Sequence, residues 1–87
     1  MRVTFTEKAL DAYVSWQAED RKTLNRINAL IKSIQREGFT VGIGKPEALR
    51  GARERYSRRI DEKNRLVYTG DGEGNVVILS CKGHYDE

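Results

Sequence analysis

Four side chains in this 87-residue sequence have the types that acid–base chemistry on a phosphate requires: Glu47, Arg59, Arg65 and His84. His84 is the only histidine and stands near the C-terminus in CKGHYDE. Histidine is the one side chain whose ordinary charge change falls near neutral pH, so it is the natural proton donor if the tail is tied down over a site. Glu47 follows Lys45-Pro46 on a glycine-containing loop and is a candidate base. Arg59 and Arg65 lie almost symmetrically about the turn DEKN, and period-2 alternation lets them meet on one sheet face. Two arginines held together need anions, supplied by carboxylates or by a phosphate ligand. A base, an acid and paired guanidinium groups suffice for metal-free cleavage of RNA by its own 2′-hydroxyl. DNA, lacking that hydroxyl, would be inert. Taken singly, each residue has a plain alternative: Glu47 a surface carboxylate, Arg65 an ion-pair partner, Tyr85 a strand-end aromatic.

The net charge is only +3, but its distribution is uneven. Lys45, Arg50, Arg53, Arg55, Arg58, Arg59, Lys63 and Arg65 are eight of the sixteen basic residues, opposed in that stretch only by Glu47, Glu54, Asp61 and Glu62. Such a stripe is the footprint of a phosphate-binding surface, although a solvated hairpin explains the charge equally well by itself. The single cysteine, Cys81, excludes an internal disulfide, and with one histidine it cannot form a Cys/His zinc site. No metal and no cofactor are expected. Cys81 and His84 are an odd number of residues apart, which argues against a Cys–His nucleophile pair and makes Cys81 a small buried hydrophobe. GIGK resembles a phosphate loop only superficially. Five residues separate Gly38 from Gly44 where the motif needs four, and Pro46 replaces its Ser/Thr. With no apolar run of membrane length and no signal-peptide core at MRVTFTEKAL, a cytoplasmic protein without membrane contact is expected.

The elements that must position these residues can be read from spacing. RVTFT alternates as a short strand. Thr6 caps a helix running to about Glu19, with Leu10, Tyr13 and Val14 expected on its inner side. Asp20 caps a second helix, Arg21 to Glu37, whose Leu24, Ile27, Ile31 and Ile34 form an amphipathic stripe ended by Gly38. Three strands follow the loop, at 55–60, 64–70 and 75–82, joined by DEKN and DGEGN. The expectation is one α+β domain over residues 1–87, with two helices on one face of a mostly antiparallel four-stranded sheet.

Several motifs in order along the chain then resemble a known family: W16-Q17, GKPEAL (44–49), SRRI (57–60), RLVY (65–68) and the terminal CKGHY. Together they resemble YoeB/Txe-type toxins of the RelE/ParE superfamily, the ribonuclease half of bacterial type II toxin–antitoxin pairs. The resemblance implies a RelE-like fold and ribosome-dependent cleavage of mRNA in the A site, leaving a 2′,3′-cyclic phosphate and a 5′-hydroxyl. It implies Glu47 as general base, Arg65 on the scissile phosphate, His84 as general acid and Tyr85 beside the substrate. Arg50 and Arg59 become RNA contacts, and Lys45 and Arg58 join them from the basic stripe. It further implies an antitoxin partner, with the ribosome and mRNA as targets, and is compatible with a homodimer. Ala48, Lys82-Gly83 and the extension Asp86-Glu87 depart from the family pattern. Two alternatives share the fold: a ParE-like gyrase-binding toxin, which needs no acid–base pair, and a non-catalytic RNA-binding domain, which leaves the His-Tyr ending unexplained.

Overall fold

A computed structural model describes residues 1–51 and 54–84. The chain runs β1 (Val3–Phe5), α1 (Glu7–Glu19), α2 (Arg21–Glu37), β2 (Glu47–Leu49), β3 (Arg55–Arg59), β4 (Arg65–Gly70) and β5 (Val76–Ser80). Capping fixes the helix limits. The Thr6 hydroxyl accepts from the Ala9 N–H at 3.1 Å. Asp20 closes α1 through its N–H to the Trp16 carbonyl (2.9 Å) and opens α2 by accepting from the N–H groups of Lys22 and Thr23. Gly38 ends α2, its N–H donating to the Ile34 carbonyl at 2.9 Å.

The expected stripe of α2 faces inward, joined by Leu30 and Ser33. Burial of each such aliphatic side chain contributes roughly 1.5–3 kcal/mol. The first helix is rotated from the expectation. Tyr13 packs partly buried against the core as expected, but Leu10 and Val14 are 47% and 53% exposed, and Ala9 and Trp16 are buried instead. Trp16 decides the rotation: it offers the largest apolar surface on α1, and its indole N–H reaches the Cys81 carbonyl at 2.9 Å.

The sheet order is β1-β5-β4-β3-β2, with β1 parallel to β5 and every other pair antiparallel. The sheet therefore has five strands, not four. The added strand is β2, three residues of the segment expected to be loop, pairing Glu47 with Ser57 and Leu49 with Arg55. Three residues after a proline are too few to show alternation, so only the pairing with β3 reveals it. Both helices cover one face, where the core gathers Ile27, Leu30, Ile34, Leu66, Tyr68, Val76, Ile78 and Cys81. No helix of the described residues covers the other face.

The β4–β5 ladder pairs Tyr68 with Ile78 but Val67 with Ser80, leaving Leu79 as an extra residue. This bulge reverses the alternation: Ile78 and Cys81, three apart, are both buried, and Ser80 sits opposite Val67. The ordered strand ends at Ser80, two residues before the expected limit.

Candidate active site

A pocket of about 260 Å³ opens on the face without helices, lined by Lys45, Glu47, Ser57, Arg59, Arg65 and His84. Sheet register explains how residues so distant in sequence converge. Glu47 pairs with Ser57 across β2–β3, and Arg59, two residues beyond Ser57, pairs with Arg65 across β3–β4. Directly opposite side chains stand with Cβ atoms about 5 Å apart. The two arginines expected to meet on one face do so.

The tail that brings in His84 is tied down. Beyond the Trp16–Cys81 contact, Lys82 bridges to Glu19 at 3.1 Å and lies 4.9 Å from the centre of the Trp16 ring. Gly83 donates its N–H to the Asn64 side-chain oxygen at 2.7 Å, and its carbonyl accepts from the Arg65 N–H at 2.9 Å. The Arg65 guanidinium is held by the carbonyls of Asp61 (2.7 Å) and Asn64 (3.1 Å). The turn itself is organised by the Asp61 carboxylate, which accepts from the N–H groups of Lys63 and Asn64. Partial burial, the largest single influence, pushes the Asp61 carboxyl upward. The bonds from Asn64 and Lys63 and the Arg65 charge outweigh it and hold the group below the usual aspartate range.

On the other side of the pocket, Lys45 takes a left-handed backbone (φ +53°) that swings the chain into β2. Just before it the chain passes very close to the core. A Cβ at Gly42 would lie 2.1 Å from the Ser33 hydroxyl, and one at Gly44 would lie 2.6 Å from Leu30 Cδ2. The glycines of GIGK thus serve close packing. Lys45, Arg59 and Arg65 line the pocket with Glu47, and among the described residues none of the three comes within 4 Å of its carboxylate as an ion pair. Three cations against one carboxylate give the pocket a net positive charge that suits an anion.

One expected RNA contact is corrected. Arg58 is wholly buried on the helix-covered face. Its guanidinium donates to the Tyr68 hydroxyl (2.9 Å), the Ser33 hydroxyl (2.8 Å) and the carbonyls of Ile43 (3.0 Å), Gly38 (2.8 Å) and Val41 (2.8 Å). All five of its N–H donors are engaged, so none remains for a ligand. Strand alternation already set Arg58 with Tyr56 and Ile60, the side the helices cover. Arg50 is exposed just after β2 and does not line the pocket. Tyr85 lies outside the described residues. Cys81 is buried and its thiol is pushed up to about 11 by burial, against the pull of Lys82, so it is no nucleophile at neutral pH. Ser57, on the pocket floor, and the turn residues Asp61 and Asn64 were not singled out from the sequence. Ser57 shares the face of Arg59 by alternation, but its pairing with Glu47 needed β2.

A family model described as YoeB-like toxin of bacterial type II toxin–antitoxin system matches residues 5–85. This chain belongs to that family. It is 46% identical to Toxin YoeB of Streptomyces coelicolor over 86 residues, covering 98% of this chain and 100% of that one. It is 48% identical to Toxin RelK of Mycobacterium tuberculosis over 84 residues, with 95% and 96% covered. Among solved structures, the YoeB dimer from Staphylococcus aureus superposes with a TM-score of 0.90 at 45% identity, over 98% of each chain. The YoeB/ParE toxin from Agrobacterium tumefaciens gives 0.87 at 36% identity, over 98% of this chain and 100% of that one. The chain is therefore a YoeB-family toxin of the type II toxin–antitoxin class, and every residue lining the pocket falls within the matched span. None of its described helices is long and apolar enough to cross a membrane.

Proposed function

We propose that this toxin is a ribosome-dependent endoribonuclease that cuts mRNA in the A site by metal-free transesterification. The observation that carries the reading is the convergence of Glu47, His84, Arg59 and Arg65 on one pocket. Glu47 takes the proton of the ribose 2′-hydroxyl, and the 2′-oxygen attacks the adjacent phosphorus. The bond from phosphorus to the 5′-oxygen breaks, and His84 gives that oxygen its proton. Arg65 and Arg59 stabilise the negative charge that builds on the phosphoryl oxygens, and Lys45 draws the backbone in. By its likeness to the family, Tyr85 is expected to orient the substrate. The ribosome supplies what so open a pocket lacks, an mRNA held with its 2′-oxygen in line with the phosphate.

The partner reading rests on the relatives: Staphylococcus aureus YoeB has been solved as a dimer and as a YoeB–YefM toxin–antitoxin complex. This chain is expected to be neutralised by an antitoxin of its own and to self-associate in the same way. Its net charge of +3 suits a partner with an acidic segment.

The test is cleavage of mRNA on programmed ribosomes, with the product ends analysed. A 2′,3′-cyclic phosphate and a 5′-hydroxyl are expected, and a single 2′-deoxy substitution at the cut should block the reaction. His84→Ala, Arg65→Ala and Glu47→Ala should each lose on the order of a hundredfold or more. A 3′-hydroxyl product, or cutting at the deoxy position, would overturn the mechanism. Inhibition of gyrase without RNA cleavage would move the protein to the alternative that needs neither Glu47 nor His84.

A further inference from the structure

Gly83 lies beyond the last rung of the sheet, since the β4–β5 ladder stops at Val67 and Ser80. Yet both of its backbone polar groups are taken by the β3–β4 turn, through the Asn64 side chain at 2.7 Å and the Arg65 N–H at 2.9 Å. The Asn64 amide is itself fixed. Its nitrogen donates to both carboxylate oxygens of Asp61, at 3.0 and 3.1 Å. An ionised carboxylate can only accept, so the amide nitrogen must face Asp61 and the amide oxygen must face Gly83. The same turn holds Arg65 through main-chain carbonyls. One short segment therefore sets both the guanidinium and the residue that carries His84.

We propose that Asn64 is a positioning residue for the reaction: its side chain clasps the tail at Gly83 and so fixes His84 relative to Arg65 in the pocket. This rests on the reading of His84 as the acid. The work divides within the turn. Main-chain carbonyls orient Arg65 and survive any change of side chain, whereas the hold on Gly83 needs an amide. Alanine removes the acceptor. Aspartate keeps an acceptor but sets a second carboxylate against Asp61 and loses both donated bonds. Asn64 is thus required by type.

The experiment uses the full chain in single-turnover cleavage of ribosome-bound mRNA. Asn64→Ala is expected to slow cleavage roughly tenfold or more, with the half-saturating ribosome concentration unchanged, because a misplaced acid affects the chemical step alone. A second substrate carries sulfur in place of the bridging 5′-oxygen; its thiolate leaves without needing a proton. On it Asn64→Ala and His84→Ala should both approach the wild-type rate. Hydrogen exchange at the Gly83 amide, read by NMR, should quicken in Asn64→Ala while the Leu66 amide is unchanged. Wild-type cleavage by Asn64→Ala, or equal slowing on both substrates, overturns the proposal. Slow cleavage of the sulfur substrate by His84→Ala would instead overturn the assignment of the acid. If the wild-type protein cut no RNA, the functional reading would fall, and unchanged Gly83 exchange would remain the result that removes the clasp.

Discussion

Arg58 extends into the helix-covered side of the sheet, where five acceptors surround its guanidinium and none is a carboxylate. Arg59, one residue further, extends to the open side opposite Arg65, and no described residue offers its side chain a hydrogen bond or ion pair. The buried charge is balanced at one remove: the Ser33 hydroxyl that accepts from Arg58 donates at 2.8 Å to Glu37. The bonds to Gly38, Val41 and Ile43 make Arg58 the pin of the loop that delivers Lys45 and Glu47 to the pocket. A guanidinium with every donor satisfied is structural material. One left unpaired opposite another of like charge costs some stability, about 0.2–1 kcal/mol for such cross-strand neighbours, and is poised for an anion. Two identical side chains acquire opposite tasks from strand parity alone.

The largest effect expected from this contrast is on folding. Arg58→Met keeps much of the buried volume but strands three part-buried carbonyls, whereas the Ser33 and Tyr68 hydroxyls keep their bonds to Glu37 and Phe39. Each buried unsatisfied group costs about 1–3 kcal/mol, so a loss of at least about 3 kcal/mol is expected. Urea denaturation would measure it. A loss below about 1 kcal/mol would mean that water replaces the guanidinium at little cost, and the distinction between the two arginines would collapse.

Arg58 also shows what the sequence carries and what it withholds. Caps, helix limits and the α2 stripe depend on local spacing, and Thr6, Asp20 and Gly38 act where the sequence places them. The pairing of Arg59 with Arg65 follows from their symmetry about one turn and is equally legible. A charge stripe is blind to parity, however, so it groups Arg58 with its neighbours although alternation sets it on the face of Tyr56 and Ile60. Strand β2 and the rotation of α1 depend on partners distant in the chain, Ser57 for Glu47 and Cys81 for Trp16. The bulge at Leu79 has no glycine to mark it. Asn64 looks like ordinary turn chemistry until Gly83 arrives beside it from the far end of the sequence.

A smaller effect sharpens the contrast from the open side. Arg59→Ala should leave stability within about 0.5 kcal/mol of the wild type, or raise it slightly as the repulsion from Arg65 is relieved. The same variant should lose at least roughly tenfold in cleavage, since one donor to the phosphate is gone. Denaturation and single-turnover cleavage on one preparation would measure both. A stability loss as large as that of Arg58→Met would show that the open face is also structural.

The smallest expected effect separates the two regions by pH. None of the five groups that accept directly from Arg58 is a carboxylate. The open face hangs on the Asp61 carboxylate, whose folded-state pKa lies below the ordinary aspartate value of 3.8. The unfolded chain therefore takes up its proton first as pH falls, and the contribution of Asp61 to stability is fully present above the unfolded value. It fades as pH drops past that value and is gone below the folded one. Asp61→Asn keeps one acceptor oxygen for the turn but loses the charge and the second oxygen that receives Asn64. Wild type should thus be modestly more stable than Asp61→Asn at neutral pH, and the gap should close as denaturation is repeated below about pH 4. A gap that persists to the lowest pH at which both proteins fold would mean that geometry, not charge, organises the turn. A gap that widens on acidification would reverse the sign of the shift and remove Asp61 as the anchor of the open face.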